Sequence, residues 1–265
     1  MDAWWKQSIT IPIIRKFGQQ RIKNKFKAGP IFIGGCGRSG TSLLLSILSA
    51  HPKIYALSKE SDAFTKWTRD DNGKVIPERI DRFYRQMLKT TIPSSCDRWC
   101  EKRPSNVNYI TQILEYFGEK ARFIHIVRDP RAVCTSYHPS RKNEYWISLD
   151  RYENDVNNGL KFQNHPQVYT IKYEDLVINS ESSIQSLCDF LDLEYGKEMK
   201  NWFEYAKIRK SKAWYGELLD THTHSIHKWQ KPEHEDRIEE ILSHEGVMRI
   251  AKKVGYSFQK IKLEN

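Results

Sequence analysis

Short apolar runs alternate with helical patterns along most of this chain. Each run has the length of a buried strand and ends at a glycine or a polar residue, and the segment after it has the spacing of a helix. The predicted strands cover residues 30–33, 122–127 and 168–171, and the helices that follow them cover 41–50, 131–138 and 180–193. This alternation predicts an α/β fold: a single domain with a central parallel sheet flanked by helices. Residues 65–97 are polar and mixed, and we expect helical excursions on the surface there.

The composition indicates a folded chain with an excess of positive charge. Of 265 residues, 43 are Lys or Arg and 33 are Asp or Glu, which leaves a net charge of +10, and 39% are hydrophobic. That hydrophobic content suffices for a full core and argues against disorder, and no apolar run approaches the roughly 20 residues of a membrane-spanning helix. We divide the chain into a basic lead-in at 1–29 and one domain at 30–265. The charge predicts an anionic partner: nucleic acid, a membrane surface, a polyanion or a phosphorylated small molecule.

The N-terminal segment and the cysteines bear on the cellular location. Residues 1–29 mix aromatic and aliphatic side chains with Lys and Arg, so the segment either makes peripheral contact with an anionic membrane or forms a basic helix packed on its own domain. It lacks the apolar stretch and cleavage site of a signal peptide, which makes a cytoplasmic setting the expectation. Cys96 and Cys100 either form a local disulfide or remain two unpaired core thiols.

A glycine-rich segment between the first predicted strand and the first predicted helix carries the strongest chemical signal. Gly35 and Gly40 have the spacing of a Walker A phosphate loop, but Thr41 stands where that motif has its lysine. Backbone N–H groups at the start of a helix can still bind an anion, whereas the cation that bridges the β- and γ-phosphates of a triphosphate is missing. The segment therefore predicts a phosphate site whose natural ligand is not a triphosphate. Its binding residues are Gly37, Arg38, Ser39, Gly40, Thr41 and Ser42.

The segment PIFIGGCGRSGTSLL resembles the 5′-phosphosulfate loop of sulfotransferases that use 3′-phosphoadenosine 5′-phosphosulfate (PAPS). The resemblance is to the Golgi-type and bacterial branch, which carries R-S-G-T followed by Ser or Thr. It extends through four further segments, from residue 30 to the C-terminus. It implies a P-loop-like nucleotide-binding fold, PAPS as the sulfuryl donor, and no requirement for a metal.

Later segments resemble other parts of the same nucleotide site. Arg128 ends a predicted strand and Ser136 lies about two turns into the next helix, so the two can converge on one phosphate, as in the family's 3′-phosphate motif. Tyr173, in Y-E-D-L, corresponds to a family tyrosine near the nucleotide. Ser225 and Lys228, in S-I-H-K-W, correspond to residues that close over the cofactor phosphates.

The resemblance also implies roles in the transfer step. Lys102 lies in a segment similar to the family's E-K-x-P, whose lysine lies beside the transferred group. Lys102 and Arg38 are then the cations that stabilise negative charge as it develops. Glu60 stands where related enzymes carry the glutamate that deprotonates the acceptor.

Histidines are the alternatives to Glu60 as the base. His125 is expected to be a core histidine, because it lies in the middle of a predicted strand. Cytosolic relatives use a histidine base, so a later cluster stays open as a rival. Its members are His222, His224 and His227. Their spacing also suggests a metal, but no nearby carboxylate or cysteine completes a site.

The leading hypothesis is a PAPS-dependent sulfotransferase that moves a sulfuryl group in line to a hydroxyl, or less readily to an amine, of an acceptor. A carbohydrate, a tyrosine, and a lipid or natural product all remain open as acceptor, and so does the oligomeric state. One alternative is a P-loop kinase or NTPase, against which the missing loop lysine argues. Another is a non-enzymatic module that binds a polyanion or nucleic acid, but no recognised nucleic-acid-binding motif is present.

Overall fold

The computed structural model of the chain describes residues 10–209 and 223–258. The helices within these ranges are α1 (Ile11–Lys25), α2 (Thr41–Ala50), α3 (Ile80–Lys89), α4 (Ile110–Phe117), α5 (Pro130–Cys134), α6 (Leu149–Leu160), α7 (Tyr173–Ile178), α8 (Ser180–Phe190), α9 (Lys197–Lys200), α10 (Trp202–Tyr205), α11 (Glu235–Ser243) and α12 (Glu245–Val254). The strands are β1 (Gly29–Gly35), β2 (Ile54–Ala56), β3 (Trp67–Arg69), β4 (Val75–Pro77), β5 (Arg98–Lys102), β6 (Arg122–Val127), β7 (Tyr137–His138), β8 (Arg141–Tyr145) and β9 (Val168–Lys172).

The central sheet has five parallel strands in the order β2-β5-β1-β6-β9. Every residue of β1, the middle strand, is buried. Successive side chains of a strand point to opposite faces, and Ile31 and Ile33 accordingly pack into one apolar cluster, with α2, α7 and α8. Phe32 packs into a second cluster on the other face, with Phe64 and Trp99. This arrangement confirms the predicted α/β fold, in which helices cover both faces of a parallel sheet.

Several predicted elements end elsewhere in the structure, for identifiable reasons. The helix after β6 ends at Cys134 rather than near 138, because the hydroxyls of Thr135 and Ser136 donate to carbonyls one turn back and the chain then enters the β7–β8 hairpin. The helix predicted over 180–193 ends at Phe190. Asp192, with φ at +55°, turns the chain away there.

Residues 65–97 contain more extended structure than the sequence suggested. They form the antiparallel hairpin β3–β4 followed by the single helix α3. The hairpin turn contains Gly73, whose φ is +75°, a backbone conformation that favours glycine. The expectation of helical excursions alone was wrong for the first part of this region.

Residues 11–25 of the basic lead-in form α1, which packs on the domain that follows it. Gly18 of α1 lies directly against Tyr84 of α3, where a larger residue would overlap the ring. The Arg21 guanidinium donates to the Leu88 and Thr90 carbonyls at 3.0 and 2.9 Å. The opposite face of α1 is exposed, and the Phe17 side chain there is 62% accessible to solvent. Within residues 10–209 and 223–258, no helix is both long and apolar enough to cross a membrane.

All five cysteines are buried and free. Cys96 and Cys100 therefore do not form the local disulfide that their spacing allowed. The alternative, that they remain unpaired core thiols, is confirmed.

Candidate active site

Several of the predicted site residues follow strands of the central sheet at one edge. The phosphate loop follows β1, Lys102 ends β5, Arg128 follows β6 and Tyr173 follows β9. Glu60 lies in the segment that continues from β2. Because the strands are parallel, their carboxyl ends meet at one edge, which is where ligands bind in open α/β sheets.

The phosphate loop has the backbone of an anion site. Arg38 and Gly40 both have positive φ, at 70° and 97°, and these turn the chain from β1 into the start of α2. The Ser39 N–H donates to the Cys36 carbonyl at 3.2 Å and closes the turn. No side chain caps the N-terminus of α2, which begins at Thr41. The first N–H groups of a helix have no partner within it, so this end can bind an anion through its amides and its dipole.

Two buried polar atoms beside the loop have no hydrogen-bond partner. They are the Ser39 hydroxyl oxygen, in a fully buried residue, and the Arg128 Nε. A buried donor without a partner costs about 1–3 kcal/mol, and a bound oxyanion would satisfy both groups. The residues at this edge of the sheet therefore fit a phosphate or sulfate group.

Arg128 connects the loop to two other predicted segments. Its guanidinium lies over the Tyr173 ring, 4.0 Å from the centroid, and donates to the Arg38 carbonyl at 3.1 Å. It also donates to the Ser225 carbonyl, which places the late S-I-H-K-W segment at the same point. The Tyr152 hydroxyl donates to the Arg128 carbonyl at 2.8 Å and fixes the backbone there.

Lys228 is a third cation near Arg38 and Arg128. Its pKa is lowered, first by burial and then by the positive charges of Arg128, Arg38 and Lys231. A lowered lysine pKa means that the surroundings disfavour the charged form. Arg38 and Arg128 thus repel the Lys228 ammonium, and a multiply charged anion between the three side chains would relieve this repulsion. We call these three residues the cation cluster.

The Ser136 hydroxyl makes a local hydrogen bond in the structure. Ser136 lies just beyond α5, and its hydroxyl donates to the Ala132 carbonyl at 2.8 Å. The predicted convergence of Arg128 and Ser136 on one phosphate therefore stays a prediction, and the position two turns into a helix was wrong.

A second group of charged side chains lies beside the loop. The Lys102 ammonium donates to Glu60 Oε1 at 2.6 Å, and a guanidinium nitrogen of Arg103 lies 3.9 Å from Glu60 Oε2. The Lys102 side chain is 13% exposed and that of Glu60 is 39% exposed. The two residues to which sequence analysis assigned the base and a charge-stabilising cation are thus in direct contact, with Glu60 open to an incoming molecule.

The histidines fall into distinct environments. His125 is fully buried in β6, and burial lowers its pKa to about 3, so it is the neutral core histidine that the sequence predicted. His227 is exposed, His224 lies in the short turn Thr223–Ser225, and His222 lies outside the described residues. No group of three or more metal-ligating side chains occurs among residues 10–209 and 223–258.

Sequence analysis did not identify Glu101 and Trp146, which contact predicted site residues or the segments that carry them. Glu101 is fully buried and accepts hydrogen bonds from the Ser61 amide and the Asn106 side chain. The Trp146 ring lies under the Arg38 guanidinium, and its centroid is 5.6 Å from the guanidinium carbon Cζ. A signal for Glu101 was available, because a carboxylate inside a buried strand demands partners. Trp146 left no such signal, since its position depends on the β7–β8 hairpin.

Known proteins resemble this chain in sequence. A family model described as "Sulfotransferase family" matches residues 30–197. Protein-tyrosine sulfotransferase A of Caenorhabditis elegans is 25% identical over 196 residues, which cover 62% of this chain and 50% of that protein. Protein-tyrosine sulfotransferase 1 of Danio rerio is 25% identical over 191 residues, which cover 62% of this chain and 53% of that protein. The chain thus matches about half the length of these two relatives.

One solved structure shares the fold of this chain over nearly the whole length of the solved domain. It is the sulfotransferase domain from the Synechococcus PCC 7002 olefin synthase, with a TM-score of 0.61 at 20% identity. The match covers 87% of this chain and 96% of that domain. The likeness in backbone shows that the two chains share a fold.

Proposed function

The chain belongs to the sulfotransferase family, and on that premise we propose that it transfers a sulfuryl group from PAPS to a hydroxyl of an acceptor. The observation that carries this proposal is the cation cluster beside a phosphate loop that lacks the Walker lysine. PAPS carries a phosphate on the 3′ position and a phosphosulfate on the 5′ position of its ribose. Cations from several segments can contact both groups, whereas one loop lysine can contact only one of them. The unpartnered Ser39 hydroxyl and Arg128 Nε supply two donors for the same oxyanions.

Each predicted binding residue receives a place in this proposal. The loop from Gly37 to Ser42 holds the 5′-phosphosulfate through its amides, and Arg128 holds the 3′-phosphate, with Ser136 as a further donor. Tyr173 orients Arg128 by stacking under its guanidinium. Ser225 and Lys228 close the site from the late segment, and Ser225 already accepts a hydrogen bond from Arg128 through its carbonyl.

The transfer needs a base and a stabiliser of negative charge. The acceptor oxygen attacks the sulfur and forms a new S–O bond, its proton passes to the Glu60 carboxylate, and the bond from the sulfuryl group to the 5′-phosphate breaks. Adenosine 3′,5′-bisphosphate (PAP) is the product that leaves. Lys102 and Arg38 stabilise the charge that develops on the sulfuryl oxygens and on the leaving phosphate. The Lys102–Glu60 contact keeps the base and this cation together before an acceptor arrives.

A matched pair of variants tests the assignment of the base. Glu60→Gln keeps the shape of the side chain but cannot take up a proton, and we expect it to keep PAP affinity and lose about 100-fold in kcat. His227→Ala removes the exposed histidine of the rival cluster and is expected to change kcat little. Loss of activity in His227→Ala together with normal turnover in Glu60→Gln would move the base to the histidines.

The acceptor class is proposed from the relatives. The similar proteins from C. elegans and D. rerio are named as protein-tyrosine sulfotransferases, so a phenolic hydroxyl is the first acceptor to test. Purified protein with PAPS would be offered a tyrosine-containing peptide, its phenylalanine counterpart, a hexosamine oligosaccharide and a long-chain alcohol. Mass spectrometry would then detect the addition of one sulfuryl group. Sulfation of the sugar or the alcohol alone would place the chain in another acceptor class of the same family.

We also infer that the outer face of α1 contacts an anionic membrane. Ile13 and Phe17 are 49% and 62% exposed on neighbouring turns. Lys16 and Lys23 are exposed on the same helix, which contains no acidic residue. Exposed apolar side chains flanked by cations are typical of helices that lie in the interface of an anionic bilayer.

Vesicle binding with a matched control tests this contact. Phe17→Ser and Ile178→Ser each remove a large apolar side chain that is 62% exposed, and only the first lies on α1. Co-sedimentation with vesicles of phosphatidylcholine and phosphatidylglycerol is expected to weaken about tenfold in Phe17→Ser and to stay unchanged in Ile178→Ser. Equal binding to neutral and anionic vesicles, or equal loss in both variants, would contradict the inference.

A further inference from the structure

Behind Glu60, the segment that carries the proposed base is held at Ser61 through both backbone groups of that residue. The Ser61 amide donates to Glu101 Oε1 at 3.1 Å, and the Ser61 carbonyl accepts from Arg103 Nε at 3.2 Å. Glu101 is the last residue but one of β5 and Arg103 directly follows the strand, so one short stretch of chain supplies both contacts. Because Ser61 directly follows Glu60, these two hydrogen bonds fix the carboxyl end of the Glu60 backbone.

Glu101 is itself tied to the strand that leads into the phosphate loop. Asn106 Nδ2 donates to Glu101 Oε2 at 2.6 Å and to the Ile33 carbonyl at 3.1 Å. Both Asn106 and Glu101 are completely buried. The contacts form one continuous chain from Ile33, two residues before Gly35, through Asn106 and Glu101 to Ser61. The phosphate loop and the Glu60 segment are thereby connected through the protein interior.

We propose that Glu101 is a positioning residue, which holds Glu60 at a fixed place relative to the phosphate loop through Ser61 on one side and Asn106 on the other. The proposal rests on the proposed function, in which Glu60 is the base. Two donors, the Ser61 amide and the Asn106 amide group, face the two oxygens of one carboxylate. The ionised carboxylate accepts both hydrogen bonds at full strength. Protonation would make one of its oxygens a poorer acceptor and would add an O–H donor where both facing groups are already donors.

The surroundings of Glu101 make its protonation matter near neutral pH. Burial raises its pKa to about 7, against the lowering effect of the Asn106 and Ser61 hydrogen bonds and of the Arg103 charge. Glu60 adds a smaller effect in the raising direction, and the neighbouring titratable group on the strand, the Cys100 thiol, is buried with a raised pKa. Below this pH one of the two hydrogen bonds is lost, the Glu60 segment is released on that side, and turnover falls.

Glu101→Gln imitates the protonated state at every pH. Glutamine has one acceptor oxygen and one NH2 group, so it can satisfy only one of the two donors. We expect kcat at about pH 8 to fall about 10- to 100-fold, since a displacement near 1 Å of a reacting group has effects of that size. We also expect the decline of kcat between about pH 8 and about pH 6, present in the wild type, to disappear in this variant. PAP affinity, which does not depend on Glu60, is expected to stay within about threefold.

Asn106→Asp is the second variant, and it keeps the proposal falsifiable where Glu101→Gln does not fold. A carboxylate facing Glu101 would favour a shared proton, so the midpoint of the acid decline in kcat is expected to move to higher pH. A wild-type kcat and an unmoved pH profile in either variant whose folding is verified by circular dichroism would overturn the proposal. Failure of the proposed function is a different result, namely wild-type protein that neither binds PAP nor transfers a sulfuryl group.

Discussion

Gly40→Ala is a sharp test of the loop geometry. Gly40 has φ at +97°, so an alanine there is strained by about 1–2 kcal/mol whatever space surrounds it. The new Cβ would also overlap the Tyr173 ring, and overpacking of this kind costs about 1–3 kcal/mol. Arg128 lies 4.0 Å over that ring, so displacing Tyr173 also displaces the guanidinium. We expect a total loss of about 2–5 kcal/mol in the free energy of unfolding, together with weaker PAP binding.

Gly73→Ala is the matched control for this experiment. Gly73 has a similar φ of +75°, but no atom lies within 4 Å of the position of its Cβ. It therefore reports the backbone strain alone, about 1–2 kcal/mol, with PAP affinity unchanged. Urea unfolding and titration calorimetry on both variants give the comparison. Equal destabilisation in the two variants, with equal PAP affinity, would refute the argument that Gly40 is required by its contact with Tyr173.

Three further predictions concern Arg128, Lys228 and the core. Arg128→Lys removes the guanidinium fork, and we expect it to weaken PAP binding about 10- to 100-fold in titration calorimetry. The control is Arg122→Lys, at the opposite end of β6, which is expected to leave PAP affinity unchanged. Burial and then nearby cations lower the Lys228 pKa, whereas a bound anion favours the ammonium. PAP affinity is therefore expected to fall as pH rises from about 7 to about 10, and Lys228→Met should remove that decline. Gly159→Ala would push a methyl group into the buried His125 ring, and urea unfolding is expected to show a net loss of about 1–2 kcal/mol despite the better helix propensity of alanine.

The fold was predictable because the apolar residues follow the spacing expected of buried strands and of helices. A fully buried strand, two glycines and a ten-residue helix follow one another from Gly29 to Ala50, and the structure keeps these elements where the sequence placed them. The hairpins β3–β4 and β7–β8 were missed, since their strands have only two to five residues and no period that can be counted. In each case tertiary contacts decide the conformation.

The site was predictable to the extent that its chemistry lies in short motifs. Arg38 and Arg128 follow two neighbouring strands, and the parallel sheet brings these strand ends to one edge. Lys228 comes from the late segment, which contacts Arg128 through the Ser225 carbonyl. The position of Ser136 was not predictable, because side-chain hydrogen bonds end α5 early. Glu101 was overlooked for another reason. Its role depends on the Ser61 amide, a backbone group that carries no mark in the sequence.

The central claim is that the cation cluster and the lysine-free loop bind a nucleotide with phosphates on both the 3′ and 5′ positions. Titration calorimetry with PAP and with ATP, each with and without Mg²⁺, tests it most directly. We expect PAP to bind more tightly than ATP, with the same affinity in the presence and absence of Mg²⁺. Preference for ATP in the presence of Mg²⁺, or no binding of PAP at all, would contradict the account.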